Sequence, residues 1–209
     1  LYVFGSVTAH AAPSDPAFAR GNALLAEGKF EQSLQAYAAA VRSDRSNQKY
    51  SQQYMLVRRI ILLRQNLGKE QDPRKWQQTA QALHSFYISK AIYPEALAIA
   101  EKIHAKSNTA LSAAQLAETQ LAIGKNEEAL RTLADLDPEK AIPATKALHA
   151  IALARQGQLQ EARQIGAGIM GTIPSDPGTL YSLARMHAAI GNDGKSLAML
   201  ADCFAAIPP

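Results

Sequence analysis

The sequence contains a single cysteine, few aromatic residues and no apolar run of the roughly 20 residues that a membrane-spanning helix needs. Cys203 excludes an intramolecular disulfide, and a lone thiol in the last predicted helix is most simply a small core residue. Aromatic residues make up 6% of the chain while alanine is abundant. This composition suits closely packed helices and fits poorly with a β-sheet. We therefore expect an all-α protein.

The sequence patterns of enzymes and metal sites are also missing. The histidines form no HExxH motif and no pairing with the cysteine at metal-ligand spacing, and GxSxG is absent. Gly166–Gly171 reads GxGxxG, but it is predicted inside a helix, where we expect close packing or a kink. Gly194–Ser196 resembles the end of a phosphate-binding loop, but no strand precedes it and we interpret it as a turn. We expect no catalysis, no cofactor and no metal.

One seven-residue pattern recurs along the chain. It begins as Gly28–Leu34, returns as Gly124–Leu130, Gly157–Arg163 and Gly191–Leu197, and has a variant, Ala91–Leu97, that begins with alanine. The last four copies start 33, 33 and 34 residues apart. A fixed period in this range indicates one helical unit stacked on copies of itself. Each turn residue is expected to end a helix in a left-handed conformation, so that the next helix runs back antiparallel.

The first helix pair, predicted over Pro16–Glu27 and Phe30–Ser43, resembles the tetratricopeptide repeat. Counted from Ser14, seven of eight consensus positions agree, and Arg45 stands where the family has proline. The matching residues are Gly21, Leu24, Gly28, Phe30, Ser33, Tyr37 and Ala40. The resemblance implies an all-α, right-handed α-solenoid of antiparallel helix pairs, with about five such units and one extra long helix. We expect a bacterial protein of this family.

The period divides the chain into segments. Residues 1–13 form an apolar tail, and residues 14–209 are predicted as one superhelical domain with repeats at 14–47, 77–109, 110–142, 143–176 and 177–209. An irregular basic helix and turn at 48–76 interrupt the regular spacing of the repeats.

The interrupting helix is predicted over Gln48–Leu67 and is apolar nearly all round. We interpret it as filling the joint between the first repeat and the rest. The alternative is that Met55 and Leu62, framed by Arg58 and Arg59, are exposed and contact a partner.

The N-terminal tail has features of a secretory signal. Leu1–Thr8 is apolar, and Ala9–Ala11 has the small-x-small form of a signal-peptidase site. This pattern predicts export to the periplasm or attachment to its membrane. A cytoplasmic protein carrying an ordinary or expression-derived tail is the alternative. We also expect Leu1–Val7 to lie as an extended strand in the groove of its own or a neighbouring molecule.

Basic charge is concentrated in one segment. The chain carries a net charge of +4, whereas Arg42–Lys75 alone holds nine basic and three acidic residues. We interpret this segment as an ordinary solvated face. The alternative is a surface for anionic lipid or nucleic acid, of which nucleic acid is not favoured. The candidate residues of this basic surface are Arg58, Arg59, Arg64, Lys69, Arg74 and Lys75.

In the tetratricopeptide-repeat family the first helix of each repeat lines a concave groove. The resemblance implies a non-catalytic adaptor that binds a peptide or protein segment there. The corresponding residues are Phe18, Asn22, Leu25, Gln78, Gln81, Ser85, Ile88, Leu111, Glu118, Leu121, Ile151, Arg155, Tyr181 and Arg185. Asn22 matches one asparagine of the chaperone-binding carboxylate clamp, but Phe18 occupies the clamp's lysine position, so that specificity is not carried over.

Two alternatives to the groove-binding adaptor stay open. The chain is a self-assembling structural module that dimerises or polymerises through its last helix, Lys195–Ala206, or it is the interaction domain of a larger membrane- or secretion-associated protein.

Overall fold

The computed structural model describes residues 15–169 and 176–207. These ranges hold eleven α-helices, one turn of 3-10 helix at Pro138–Lys140 and no strand, so the all-α prediction is confirmed. In chain order the helices are α1 (Pro16–Ala26), α2 (Phe30–Ser43), α3 (Gln48–Leu67), α4 (Pro73–Ser89), α5 (Tyr93–Ser107), α6 (Ala110–Ala122), α7 (Asn126–Ala134), α8 (Pro143–Arg155), α9 (Leu159–Gly168), α10 (Pro177–Ala189) and α11 (Asp193–Ala205). The signal-like tail and the expected Leu1–Val7 strand lie outside the described residues.

The chain divides into two compact units. The first unit runs to Thr79 and includes Lys90–Ile92, and the second comprises Ala80–Ser89 and the chain from Tyr93 onward. Helix α4 therefore contributes its first part to one unit and its second part to the other.

The recurring turn has the conformation that the sequence predicts. The backbone is left-handed at Gly28 (φ 72°), Gly124 (φ 79°), Gly157 (φ 83°) and Gly191 (φ 78°), and also at Ala91 (φ 55°), where a β-carbon must be accommodated. The amide of the residue after each of the four glycines donates a hydrogen bond to a carbonyl in the last turn of the preceding helix. An example is the 2.9 Å bond from the Gln158 amide to the Leu153 carbonyl. This pattern is the Schellman motif, which satisfies helix-terminal carbonyls while reversing the chain.

Close packing in the first unit is set by Gly21. A β-carbon at this position would lie 2.6 Å from Cε1 of Tyr37, so only glycine lets the two helices approach this closely. The Ser33 hydroxyl donates a 2.8 Å hydrogen bond to the Gly21 carbonyl across the same contact. Phe18 packs on Tyr37 and on Tyr50 of α3, with ring centroids 5.4 and 4.7 Å apart. Gly21, Ser33 and Tyr37, which match the repeat consensus, therefore contact one another where α1 and α2 cross.

Helix α3 has the predicted bounds but not the predicted burial. Val57, Ile60 and Ile61 are buried. Met55 and Leu62, by contrast, are 56% and 49% exposed. If this helix fills a joint, as interpreted from the sequence, Met55 and Leu62 are not part of the filling. The exposed alternative describes their position correctly.

The second unit has one continuous core over α6 to α10, whose fully buried residues include Ala117, Leu121, Leu148, Ile151 and Met186. Gly166 belongs to this core, since a β-carbon there would lie 3.1 Å from Ile190 and 3.5 Å from Met186. Of the GxGxxG string, Gly166 and Gly168 lie in α9 as expected, while Gly171 is outside the described residues.

Two further expectations concern α11. Gly194–Ser196 is part of this helix, so the interpretation of that string as a turn is wrong. Asn192 occupies the N-cap position and the helix begins at Asp193, earlier than the string suggests. Cys203 is buried and its thiol donates to the Pro177 carbonyl at 3.2 Å, which confirms it as a small core residue.

Candidate functional site

The first helices of the repeats in the second unit lie side by side. Helix α8 packs against both α6 and α10, while α7 packs on α6 and α8, α9 on α8, and α11 on α10. We call the surface formed by α6, α8, α10 and the second part of α4 the inner face. It carries most of the residues that the family resemblance assigns to a groove.

Helices α4 and α6 are joined on the inner face by paired amides. Gln81 and Gln115 exchange two hydrogen bonds of 2.9 Å, each side chain acting as both donor and acceptor. Amide groups presented in this way have the chemistry to bind the backbone of a peptide, which needs both donors and acceptors. Gln115 was not among the predicted site residues, because it does not stand at one of the repeat positions that line the groove in the family.

A second polar contact lies one helical turn further along the same pair of helices. His84 is buried, and its Nε2 lies 2.9 Å from the Thr119 hydroxyl, which itself donates to the Gln115 carbonyl at 2.8 Å. Because the Thr119 proton is committed to that carbonyl, the imidazole Nε2–H must be the donor to Thr119. Burial lowers the pKa of His84, which favours this neutral form. The contact is structural and fixes α4 against α6.

Three predicted groove residues meet at the other end of the inner face. Arg185 of α10 forms a 2.8 Å ion pair with Glu118 of α6, although α8 lies between those helices. The Arg185 guanidinium also lies 5.5 Å from the centroid of the Tyr181 ring. Side chains of flanking helices can meet across a third helix only where the surface is concave. The ion pair therefore marks a local hollow over α8.

The floor of this hollow is held by a contact to the backbone. Nη1 of Arg155, on α8, donates a 2.6 Å hydrogen bond to the Leu121 carbonyl near the end of α6. This carbonyl lies in the last turn of α6 and also accepts a 3.3 Å bond from the Gly124 amide, so the guanidinium is an additional donor that ties α8 to the end of α6.

Exposed apolar side chains flank these polar contacts. Ile88 is 38% exposed, Leu111 69% and Tyr181 48%. Gln78, on the part of α4 in the first unit, and Ser85 are exposed as well. Large apolar side chains that stay accessible on one face, interleaved with amides and charges, are typical of a surface that binds peptides.

Four predicted groove residues are buried, which corrects their expected exposure. Leu121 and Ile151 are 1% and 2% exposed and belong to the core of the second unit. Phe18 and Leu25 are 4% and 6% exposed. Phe18 is covered in part because Tyr50 of the irregular helix α3 packs on its ring.

Of the three predicted groove residues on α1, Asn22 is the one that stays exposed. Its Oδ1 accepts a 2.7 Å hydrogen bond from the Tyr37 hydroxyl. It lines a shallow cavity of about 230 Å³ whose other walls are Phe18, Leu25, Ala26, Lys49, Gln53 and Lys90. All of these residues belong to the first unit.

The basic surface of the first unit is smaller than predicted. Arg64 is half-buried, and its guanidinium carbon lies 4.4 Å from the centroid of the Phe30 ring. Its cation–π contact makes it part of the packing between α2 and α3. The remaining predicted residues are exposed: Arg58, Arg59, Lys69, Arg74 and Lys75.

Neither a metal-ion site nor a membrane-spanning helix is found among the described residues. No group of three histidine, cysteine or carboxylate side chains is gathered there in a way that would hold a metal ion. No helix within residues 15–169 and 176–207 combines the length and the apolar character that crossing a bilayer requires.

Comparison with known proteins gives likenesses of fold. No protein-family model matches the sequence, and no curated protein matches it. A crystal structure of a tetratricopeptide repeat protein from Parabacteroides merdae ATCC 43184 is similar over 92% of this chain and 79% of that one, with 14% sequence identity and a TM-score of 0.52. A thermophilic tetratricopeptide repeat protein from Thermus thermophilus is similar over 92% and 90% of the two chains, with 15% identity and a TM-score of 0.47. With its repeat residues, its left-handed turns and the likeness to the Parabacteroides structure, the chain folds as a tetratricopeptide-repeat protein.

Proposed function

We propose that the chain is a non-catalytic scaffold that binds an extended peptide segment on the inner face of its second unit. The observation that carries the proposal is the ion pair between Glu118 and Arg185 over α8, because it marks a concave surface. Exposed Leu111 and Tyr181 stand on that same surface. A repeat scaffold for protein interaction is the general role that the fold supports.

The chemistry of the inner face favours a peptide with apolar side chains spaced along an extended backbone. Leu111 and Tyr181 offer apolar anchors on separate helices, and the Gln81–Gln115 amides can exchange their mutual bonds for bonds to a peptide backbone. Both partners of the ion pair are partly exposed, with 24% of the Arg185 side chain and 49% of the Glu118 side chain accessible. A carboxylate on the peptide would compete with Glu118 for Arg185.

The first experiment is selection of a displayed library of random twelve-residue peptides on the whole chain, followed by fluorescence anisotropy with the best peptide. Leu111→Ser and Tyr181→Ala should each weaken binding by at least fivefold, the fold-change that corresponds to about 1 kcal/mol for a central contact. Leu159→Ser is the matched control, because Leu159 is 40% exposed but lies on α9, outside the inner face. Equal affinity of all variants, or failure of the selection to yield any peptide, would contradict the proposal.

A second experiment tests the ion pair itself. Glu118→Arg and Arg185→Glu should each distort the hollow through like-charge repulsion, and the double variant should recover much of the affinity because the pair can form in reverse. If the double variant binds as poorly as the single ones, the geometry of the pair does not matter for the peptide, and only the individual charges do.

A further inference from the structure

We infer that a cavity between α9, the end of α10 and the start of α11 binds a small organic molecule that carries a phosphate monoester. The cavity, which we call the anion cavity, has a volume of about 350 Å³ and lies within the second unit. The residues that line it include Arg163, Ala167, His187, Ile190, Asn192 and Lys195. None of these belongs to the proposed peptide site, so the two proposals are independent.

The lining of the anion cavity is positively charged. Arg163 and Lys195 are exposed cations that line it from α9 and α11, and no carboxylate is among the described residues around it. Asp193, in the first turn of α11, is outside the lining. Within residues 15–169 and 176–207 neither cation forms an ion pair. Two cations without a carboxylate partner on one cavity favour a ligand with about two negative charges, which a phosphate monoester carries at pH 7.

Both cations depart from the repeat pattern of this chain. Six residues after the turn residue, the other four copies have leucine, whereas the copy that begins at Gly157 has Arg163. Four residues after the turn residue, the copy that begins at Gly191 has Lys195, whereas the others have Gln32, Glu95, Glu128 and Glu161. The helices of the other repeats pack without these cations, so stacking alone does not require them. Because the two departures meet at one cavity, they point to a bound anion.

Arg163 is held in place for such a ligand. Its Nε donates a 3.2 Å hydrogen bond to the Ile190 carbonyl, and its Nη2 lies beside Gly191, 3.8 Å from the position that a β-carbon would occupy there. The bond through Nε leaves the N–H groups of both Nη atoms available. A guanidinium fixed in this way can donate to two oxygens of one phosphate and loses little freedom when it binds.

Two further side chains can contact the ligand. His187 lines the cavity, and its Nδ1 is buried without a hydrogen-bond partner in the described part of the chain, so no bond through this nitrogen fixes the ring. Burial and, to a smaller extent, the charge of Lys195 lower the pKa of His187, which places the Lys195 ammonium close to the imidazole. Asn192 occupies the N-cap position of α11 but makes no capping bond, so its side-chain amide can donate to an anion.

The rest of the cavity favours an organic group beside the phosphate. Ala167 and Ile190 contribute apolar surface to its lining. Its volume of about 350 Å³ lies at the lower end of the range of roughly 300–1,000 Å³ that is typical of small-molecule sites. Such sites combine apolar walls with a few convergent polar groups. We therefore expect a compact ligand whose phosphate contacts the two cations and whose organic part lies on Ile190.

The test is an NMR titration of the whole chain with phenyl phosphate, which joins a phosphate monoester to a small apolar ring. The amide signals of Ala167, Gly191 and Asn192 should shift and saturate, with a Kd of about 1 mM or tighter. Inorganic phosphate should bind at least threefold more weakly, and benzoate, which carries a single charge, at least tenfold more weakly. Absence of saturation, or equal affinity for either of these two probes, would overturn the inference.

Variants test the two cations. Arg163→Gln and Lys195→Gln should each weaken phenyl phosphate binding at least fivefold. Arg131→Gln on α7 and Lys102→Gln on α5 remove the same charge from exposed positions outside the cavity and should leave the affinity unchanged. Affinity that is kept in both cavity variants, or lost equally in the controls, would refute a specific site.

Lys195→Glu carries the test if Arg163→Gln alters folding through the lost bond to Ile190. This substitution restores the residue type of the other repeats and should abolish saturable binding, while the thermal unfolding temperature stays within about 2 °C of the original, as for a surface change. Retained binding in Lys195→Glu would overturn the inference. A glycine-flanked phosphoserine peptide tests a phosphorylated protein as the source of the phosphate. It should bind no more tightly than phenyl phosphate, and a tenfold tighter Kd would contradict the small-molecule assignment.

Discussion

Replacing Gly21 by alanine tests the helix contact on which the first repeat depends. The added β-carbon would lie 2.6 Å from Cε1 and 2.7 Å from Cδ1 of Tyr37. Carbon atoms in van der Waals contact lie about 3.5–4.0 Å apart, so the ring would have to move by about 1 Å. It is fully buried, its hydroxyl is held by Asn22, and Phe18 packs on it. The ring therefore has little room to yield.

The expected cost follows from two opposing terms. Forcing one extra methyl into a packed site costs roughly 1–3 kcal/mol. Alanine is the better helix former by about 1 kcal/mol, which offsets part of that cost. Since the ring is restrained, the steric term should lie in the upper part of its range. We expect a net loss of about 1–2 kcal/mol in the free energy of unfolding of the first unit.

Hydrogen–deuterium exchange measured by mass spectrometry suits this variant, because it reports each unit separately. Protection of α1 and α2 should fall by about 5- to 30-fold, the factor that corresponds to 1–2 kcal/mol. Protection of α6 to α8 should not change. Gly194→Ala is the matched control, since a β-carbon there meets no atom within 4 Å. Unchanged or higher protection of α1 and α2 in Gly21→Ala would refute the steric argument.

Three further predictions concern the turns, a helix crossing and a histidine. Ala91→Gly should raise the free energy of unfolding by up to about 1 kcal/mol, because a left-handed alanine costs about 1–2 kcal/mol. The greater conformational entropy that glycine gives the unfolded chain offsets about half of this gain. Gly157→Val should lower the denaturation midpoint, because valine is strained at this left-handed position. Ala162→Leu, at a fully buried position, should cost roughly 1–3 kcal/mol in urea denaturation. Burial lowers the pKa of His84, so the unfolded state binds more protons and stability should fall as the pH drops below about 6.5. His84→Gln, whose amide can still donate to Thr119, should reduce that slope; an unchanged slope would show that other groups cause it.

The fold could be predicted from the sequence because its determinants are local. The turn glycines force a chain reversal at a fixed spacing, and the bounds of α2 and α3 were predicted to the residue. Small residues such as Gly21 and Ala162 mark where helices cross closely, and both are buried. These features act over a few residues and need no knowledge of the rest of the chain.

The site was harder to predict because it depends on neighbouring residues, which the family's list of groove positions does not take into account. Phe18 holds a groove position, yet Tyr50 of the irregular helix covers it. Leu121 holds another, but it lies in the continuous core of the second unit. Conversely, Gln115 is not at one of the family's groove positions, yet it forms a hydrogen bond from α6 to Gln81 of α4. At these positions the surroundings of the side chain are set by residues distant in sequence.

Two polar departures from the repeat pattern in the second unit, His84 and Gln120, are matched by hydrogen-bond partners. His84 stands where a small residue belongs, and Thr119 accepts its hydrogen bond. Gln120 stands where a large apolar residue belongs, and Thr132 of α7 donates to its Oε1 at 3.0 Å. A slip of one helix along the next would leave such buried groups without partners, at a cost of about 1–3 kcal/mol each. Apolar contacts alone would tolerate such a slip more easily, since they lack direction. His84 and Gln120, which weaken the sequence pattern, therefore help to fix the register of α6 against α4 and α7.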